Sequence, residues 1–157
     1  MKNNYIFIKI ITFILFINLI SFKAFSAEQF NFNVTEIEIL EKGNLIKGFN
    51  RGLVTSNHGV EIEADIFEYN KSSNILQASG NVKVIDKINN YTIFTENLKY
   101  LRNSEKIFAN KNSKAIYKKD ITIEGNIFEY DKLSNILIAI GDVKAIDRKK
   151  KLWSLYG

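Results

Sequence analysis

The 157-residue sequence has no cysteine, no proline and one histidine. Without cysteine there can be no disulfide and no thiolate metal site. The single histidine, His58, sits in the turn-forming stretch Asn57-His58-Gly59 with no ligand or base near it in sequence, so it reads as solvated loop chemistry. Nucleophile motifs, glycine-rich phosphate loops and metal-ligand spacings are missing too. Glu61, Glu63, Asp65, Glu68 and Glu129 read as solvent-facing alternates rather than convergent carboxylates, and no enzyme or cofactor is expected. The lack of proline suits unbroken β ladders, because a proline removes a ladder donor wherever it falls.

The N-terminus differs from the rest. Lys2 gives a positive start, Ile6 to Phe22 is almost wholly apolar, and Ala24-Phe25-Ser26 supplies small residues where a signal peptidase reads. Residues 1–26 are expected to be a cleaved secretory signal helix, with residues 27–157 as the folded domain. The alternative is an uncleaved anchor, since the apolar run approaches the roughly 20 residues that cross a bilayer. Removing the segment takes away Lys2, Lys9 and Lys23, and the formal charge falls from +5 to about +2. A nucleic-acid partner is therefore not indicated, and export to a bacterial periplasm is.

The rest of the chain repeats itself. Ile62 to Asp86 (IEADIFEYNKSSNILQASGNVKVID) and Ile123 to Asp147 (IEGNIFEYDKLSNILIAIGDVKAID) match at about 17 of 25 positions, at an offset of about 61 residues. A fainter copy at half that offset, Glu96 to Ala109, places Tyr100 and Ala109 where Tyr69 and Ala78 stand. A worn first copy spans Ile37 to Gly48. The unit is thus about 30 residues long and occurs about four times, which predicts stacked β-structure.

Within each unit the period is two. Phe30, Phe32 and Val34 alternate with Asn31 and Asn33, and the slip before Ile37 predicts a bend or bulge. Gly48 to Gly52 reads as a turn. Ile62, Ala64 and Ile66 oppose Glu61, Glu63 and Asp65; then Phe67 and Tyr69 carry the apolar phase, so the strand must bend there. Leu76, Ala78, Gly80, Val82 and Val84 share one face of the returning strand. The small pair Ala78 and Gly80, repeated as Ala139 and Gly141, marks either a tight twist or room for a long apolar ligand. Ile136 to Ile140 is apolar on both faces, so it must be covered twice or dock something. The basic run from Arg148 to Lys151 reads as a solvated edge that discourages strand pairing, with engagement of phosphates as the alternative.

The units have the form I-E-A-D-x-F-E-Y-(N/D)-K-x-x-N-x-L-x-A-x-G-(N/D)-V-K, best seen in Ala64 to Val84 and Gly125 to Val143. They resemble the OstA-like (LptA) family of periplasmic lipopolysaccharide-transport domains, which includes the N-terminal jellyroll of LptD. The resemblance implies an all-β, twisted β-jellyroll open along one side, whose apolar groove carries lipopolysaccharide acyl chains between inner and outer membrane. It assigns that groove to Ile62, Ala64, Ile66, Leu76, Ala78, Val82 and Val84, with Ile123, Ile127, Leu137, Ala139 and Val143 as their repeats. The implied partners are lipopolysaccharide, other jellyroll domains joined by edge-strand addition, and further copies of the chain head to tail. With an uncleaved anchor the arrangement would resemble LptC instead. A structural repeat protein that polymerises at its edges without lipid is the competing expectation.

Overall fold

The structure, a computed structural model, describes residues 30–148. The expected signal segment and residues 149–157 lie outside them. The described chain is almost entirely antiparallel β: β1 (Phe30–Leu40), β2 (Leu45–Ser56), β3 (Val60–Ala64), β4 (Ile66–Asn70), β5 (Ile75–Asp86), β6 (Tyr91–Leu101), β7 (Lys106–Tyr117), β8 (Ile121–Asp131), β9 (Ile136–Ile140) and β10 (Lys144–Asp147). The sheet is a meander in the order β1-β2-β3-β5-β6-β7-β8-β10. β4 continues β3 between β2 and β5, and β9 pairs with β8 alongside β10. Short polar turns return the chain at both ends of each strand, as the spacing of Asn, Ser and Gly requires.

Three lines of backbone punctuation explain the 30-residue period. Two are the hairpin turns. The third lies in mid-strand: Asn50 and Arg51, Gly80 and Asn81, Lys111 and Asn112, and Gly141 and Asp142 all take positive φ. The ladders shift register at Val34/Glu36, Ser79/Val82, Phe94/Asn97 and Asn110/Ser113. Each shift is a bulge, which bends its strand and sharpens the local twist. Aligned across the ladder, they crease the sheet. The stretch Gly48 to Gly52, expected to be a turn, is the first of these bulges: β2 runs straight through it, because Asn50 and Arg51 absorb the bend without reversing the chain.

The crease divides the molecule into two arms. The first lies between the crease and the turns near Asn44, Asn74, Glu105 and Asn135; the second lies between the crease and the turns near His58, Asn89 and Lys119. At the crease, Asp65 N–H donates to Gly80 O at 3.0 Å and Asn81 Nδ2 donates to Asp65 Oδ2 at 2.7 Å. The small residue is required there: Gly80 has φ +76, and a Cβ would lie 2.6 Å from Asp65 Oδ2. Asp65 thus fills the space beside Gly80. Two repeats later the same joint has its polar partners exchanged, with Asn126 Nδ2 donating to Asp142 Oδ2 at 3.1 Å. Asn126→Asp sets two carboxylates against each other and is expected to cost about 0.5–1 kcal/mol. Adding Asp142→Asn should restore the loss, as read by urea titration of the single and double variants.

Alternation then decides what lies between the arms. The inner faces supply one buried cluster, including Val54, Ile62, Val82, Val84 and Ile93 from the second arm and Phe67, Leu76, Tyr100, Ile107 and Phe128 from the first. Rings from the two arms touch: Phe30 meets Tyr69 at 4.8 Å edge on, and Tyr91 meets Tyr130 at 4.8 Å. β1 and the β9/β10 pair bond on one side only, so the described sheet has two edges.

Candidate functional site

The interior between the arms is the candidate site. Ile62, Ala64, Leu76, Ala78, Val82 and Val84 are buried in its cluster. Ile123, Leu137 and Ala139 are half-buried and pack against it. Ile66, Ile127 and Val143 do not join them; all three are exposed. The strand bends at Asp65, so the inward phase passes from Ala64 to Phe67 and throws Ile66 outward, 47% exposed. Asn126 does the same for Ile127. Val143 follows the Gly141–Asp142 bulge, and among the described residues no strand lies beyond it to cover it as β6 covers Val82.

β9 likewise has two unlike faces. Leu137 and Ala139 point inward, whereas Ile136, Ile138 and Ile140 stand about half exposed on the outer side. In the earlier copy the positions of Ile138 and Ile140 are held by Gln77 and Ser79.

The interior is filled by large side chains: Tyr100, Tyr130, Phe67 and Phe128 are each less than 2% exposed. Toward β8 and β9 the packing thins, and there Ile123, Leu137 and Ala139 give the inner surface partial access to solvent.

Where the free ends of the arms meet, they are fastened by polar groups. Tyr100 Oη donates to Glu105 Oε2 at 2.7 Å, and the Arg102 guanidinium pairs with Glu105 Oε1. From the facing arm, Asn57 Oδ1 accepts from Arg102 at 2.5 Å and His58 Nδ1 lies 3.1 Å from Glu105 Oε1. Lys132 Nζ lies 3.9 Å from Glu105 Oε2. A second clasp follows one repeat on: Tyr130 Oη donates to Asp86 Oδ2 at 2.8 Å, and Asn89 Nδ2 reaches the Lys132 carbonyl at 3.0 Å. Arg102, Glu105, Lys132 and Asp86 are all buried. Burial, and then the hydrogen bond to a carboxylate, push both Tyr100 and Tyr130 above the ordinary tyrosine range, which keeps each hydroxyl a donor.

Sequence reasoning missed these clasps. His58 is the half-exposed turn residue expected, but its ring also reaches a carboxylate 47 positions away. The available signal was a basic and acidic pair, Arg102 and Glu105, inside a turn whose counterparts elsewhere in the repeat are Ser, Asn and Lys.

A single meandering sheet, creased by aligned bulges and closed on an apolar interior, is a twisted β-jellyroll of the LptA type. Among solved structures, the chain matches LptH, the LptA-homologous periplasmic component of the conserved lipopolysaccharide transport device from Pseudomonas aeruginosa. The match has a TM-score of 0.67 at 12% identity and covers 74% of this chain and 93% of that one. No family model and no curated protein matches the sequence. Among the described residues, no helix is long and apolar enough to cross a membrane, and no group of three or more His, Cys, Asp or Glu could hold a metal ion.

Proposed function

We propose that this protein is a periplasmic lipopolysaccharide-binding transport module, exported by its N-terminal signal, that carries acyl chains between its two arms without covalent chemistry. The observation that supports it most is the two-armed apolar interior in a fold shared with LptH. Burial of an acyl chain contributes about 0.8 kcal/mol per CH₂, so an aliphatic and aromatic lining suffices without a specific polar anchor. Copies, or related jellyrolls, join by strand addition between β1 of one and the β9/β10 edge of the next. Exposed Glu36 and Glu38 make the β1 edge acidic, whereas β10 carries one cation, Lys144, and one carboxylate, Asp147.

A second reading rests on the filled interior. With Tyr100, Tyr130, Phe67 and Phe128 in place, the same chain is also suited to a structural repeat that polymerises at its edges. Benzoylphenylalanine at Leu137, with the same probe at Ile66 as control, separates the two. A lipid carrier labels lipopolysaccharide from the inward, half-buried Leu137 and not from the outward Ile66. Equal labelling, or none, in the folded protein supports the structural repeat.

A further inference from the structure

The two edges of the described sheet are related by the repeat. β1 is built as β6 is, two repeats earlier: Phe30 meets Tyr69 at 4.8 Å as Tyr91 meets Tyr130 at 4.8 Å, and the bulge at Val34/Glu36 answers the one at Phe94/Asn97. β9 and β10 together repeat β5, since Ala139 faces Phe128 and Asp147 faces Ile121 as Ala78 faces Phe67 and Asp86 faces Val60. β5 pairs onward with β6; among the described residues no strand lies beyond β9 and β10. A strand of the β6 kind fits there, and β1 of a second copy is one.

Placing it there carries the polar seam between the arms across the joint. Within the chain the turn at 57–59 faces the turn at 102–105, where Asn57 accepts from Arg102 and His58 lies 3.1 Å from Glu105. Two repeats after Asn57 stands Lys118, and two repeats before Arg102 stands Glu41. Both turns keep their form. Asp120 N–H donates to Tyr117 O at 3.2 Å as Gly59 N–H donates to Ser56 O at 3.3 Å, and Glu41–Gly43 makes a tight helical turn as Arg102–Ser104 does. An amide against a guanidinium inside the chain thus becomes an ammonium against a carboxylate between copies. Lys118 Nζ lies 4.9 Å from the centre of the Tyr117 ring, with Lys119 next to it on the same turn. Glu41 is exposed and accepts from Asn44 at 3.1 Å. Its neighbour Lys42 takes the place of Asn103, which bonds Asn74 on its own arm and not the facing one.

We infer that copies of this chain recognise one another through a clasp between turns, Lys118 of one copy against Glu41 of the next, with the strands paired in the β5–β6 register. In that register Ile37 and Ile39, 48% and 64% exposed on β1, come to lie against Ala139 and Leu137. Val143, 49% exposed, meets Val34 as Val82 meets Thr95. The inference rests on the strand-addition reading, and it adds the register and the charged pair that favours a second copy of this chain as the partner.

Self-association of the purified protein is read by sedimentation velocity at low ionic strength. Glu41→Lys alone and Lys118→Glu alone are each expected to weaken it about fivefold, because each sets like charges across every joint. Mixing the two variants should restore it, since each then meets its complement on the other. Single variants that associate as the parent does, or a mixture no better than either variant alone, overturn the clasp. For the register, the absence of cysteine makes single-cysteine variants unique. Ile37→Cys mixed with Ala139→Cys should oxidise to a linked dimer at least fivefold faster than Ile37→Cys mixed with Leu137→Cys, whose pair is diagonal at about 7–8 Å. Equal or reversed rates overturn the register while leaving strand addition in place. A protein that stays monomeric at every concentration, as it would if another segment held the β10 edge, overturns strand addition and the clasp together.

Discussion

Glu105→Ala is expected to lose about 3–5 kcal/mol of folding stability, measured by urea titration. The carboxylate is 4% exposed and is shared by Arg102, Lys132, Tyr100 and His58. Removing it leaves two cations and a phenol hydroxyl buried with partners lost, and the desolvation cost of the survivors sets the size of the effect. Glu61→Ala is the comparison. Its partner Lys87 is 64% exposed, water replaces the pair, and the loss should stay below about 1 kcal/mol. A loss at Glu105 no larger than at Glu61 would mean that the seam is open to water in solution.

Phe67→Ala is expected to cost about 3–5 kcal/mol, whereas Ile66→Ala at the preceding position should fall within about 0.5 kcal/mol. Phe67 is 1% exposed in the cluster between the arms; Ile66 is 47% exposed on the opposite side of the same strand. Cavity formation at Phe67 removes both transfer energy and packing contacts, because the creased sheet can collapse only partly around it. Comparable losses at the two positions would place the inward phase differently and would move the lining of the site with it.

The pair shows how far the sequence can be read. Two apolar residues side by side required a bend, and alternation before and after it set the two phases. Which of the two stays inside depends on where the backbone turns. It turns at Asp65, where the strand breaks between β3 and β4 and the Asp65 side chain packs beside Gly80 on the neighbouring strand. The repeat length, the hairpins and the all-β class were legible for a simpler reason: period-two alternation and turn residues recur locally, about every 30 positions. The bulges at Asn50–Arg51 and Lys111–Asn112 carry no glycine, so nothing in composition marked them as the kin of Gly80–Asn81 and Gly141–Asp142. The clasps were hidden by distance along the chain. The partners that join one arm to the other stand 41 to 47 residues apart on different elements, and no local pattern links such positions.

The meander has a dimension of its own. Eight strands follow one another across the sheet, and at about 4.8 Å per neighbour one copy is about 38 Å long in the direction of its hydrogen bonds. Strand addition at β1 and β10 continues that direction, and the two edges differ, so the joint does not close on itself as a twofold contact would. Any filament built this way lengthens in whole increments of about 38 Å. The distance it spans is a count of copies, set by protein concentration and by whatever caps the ends.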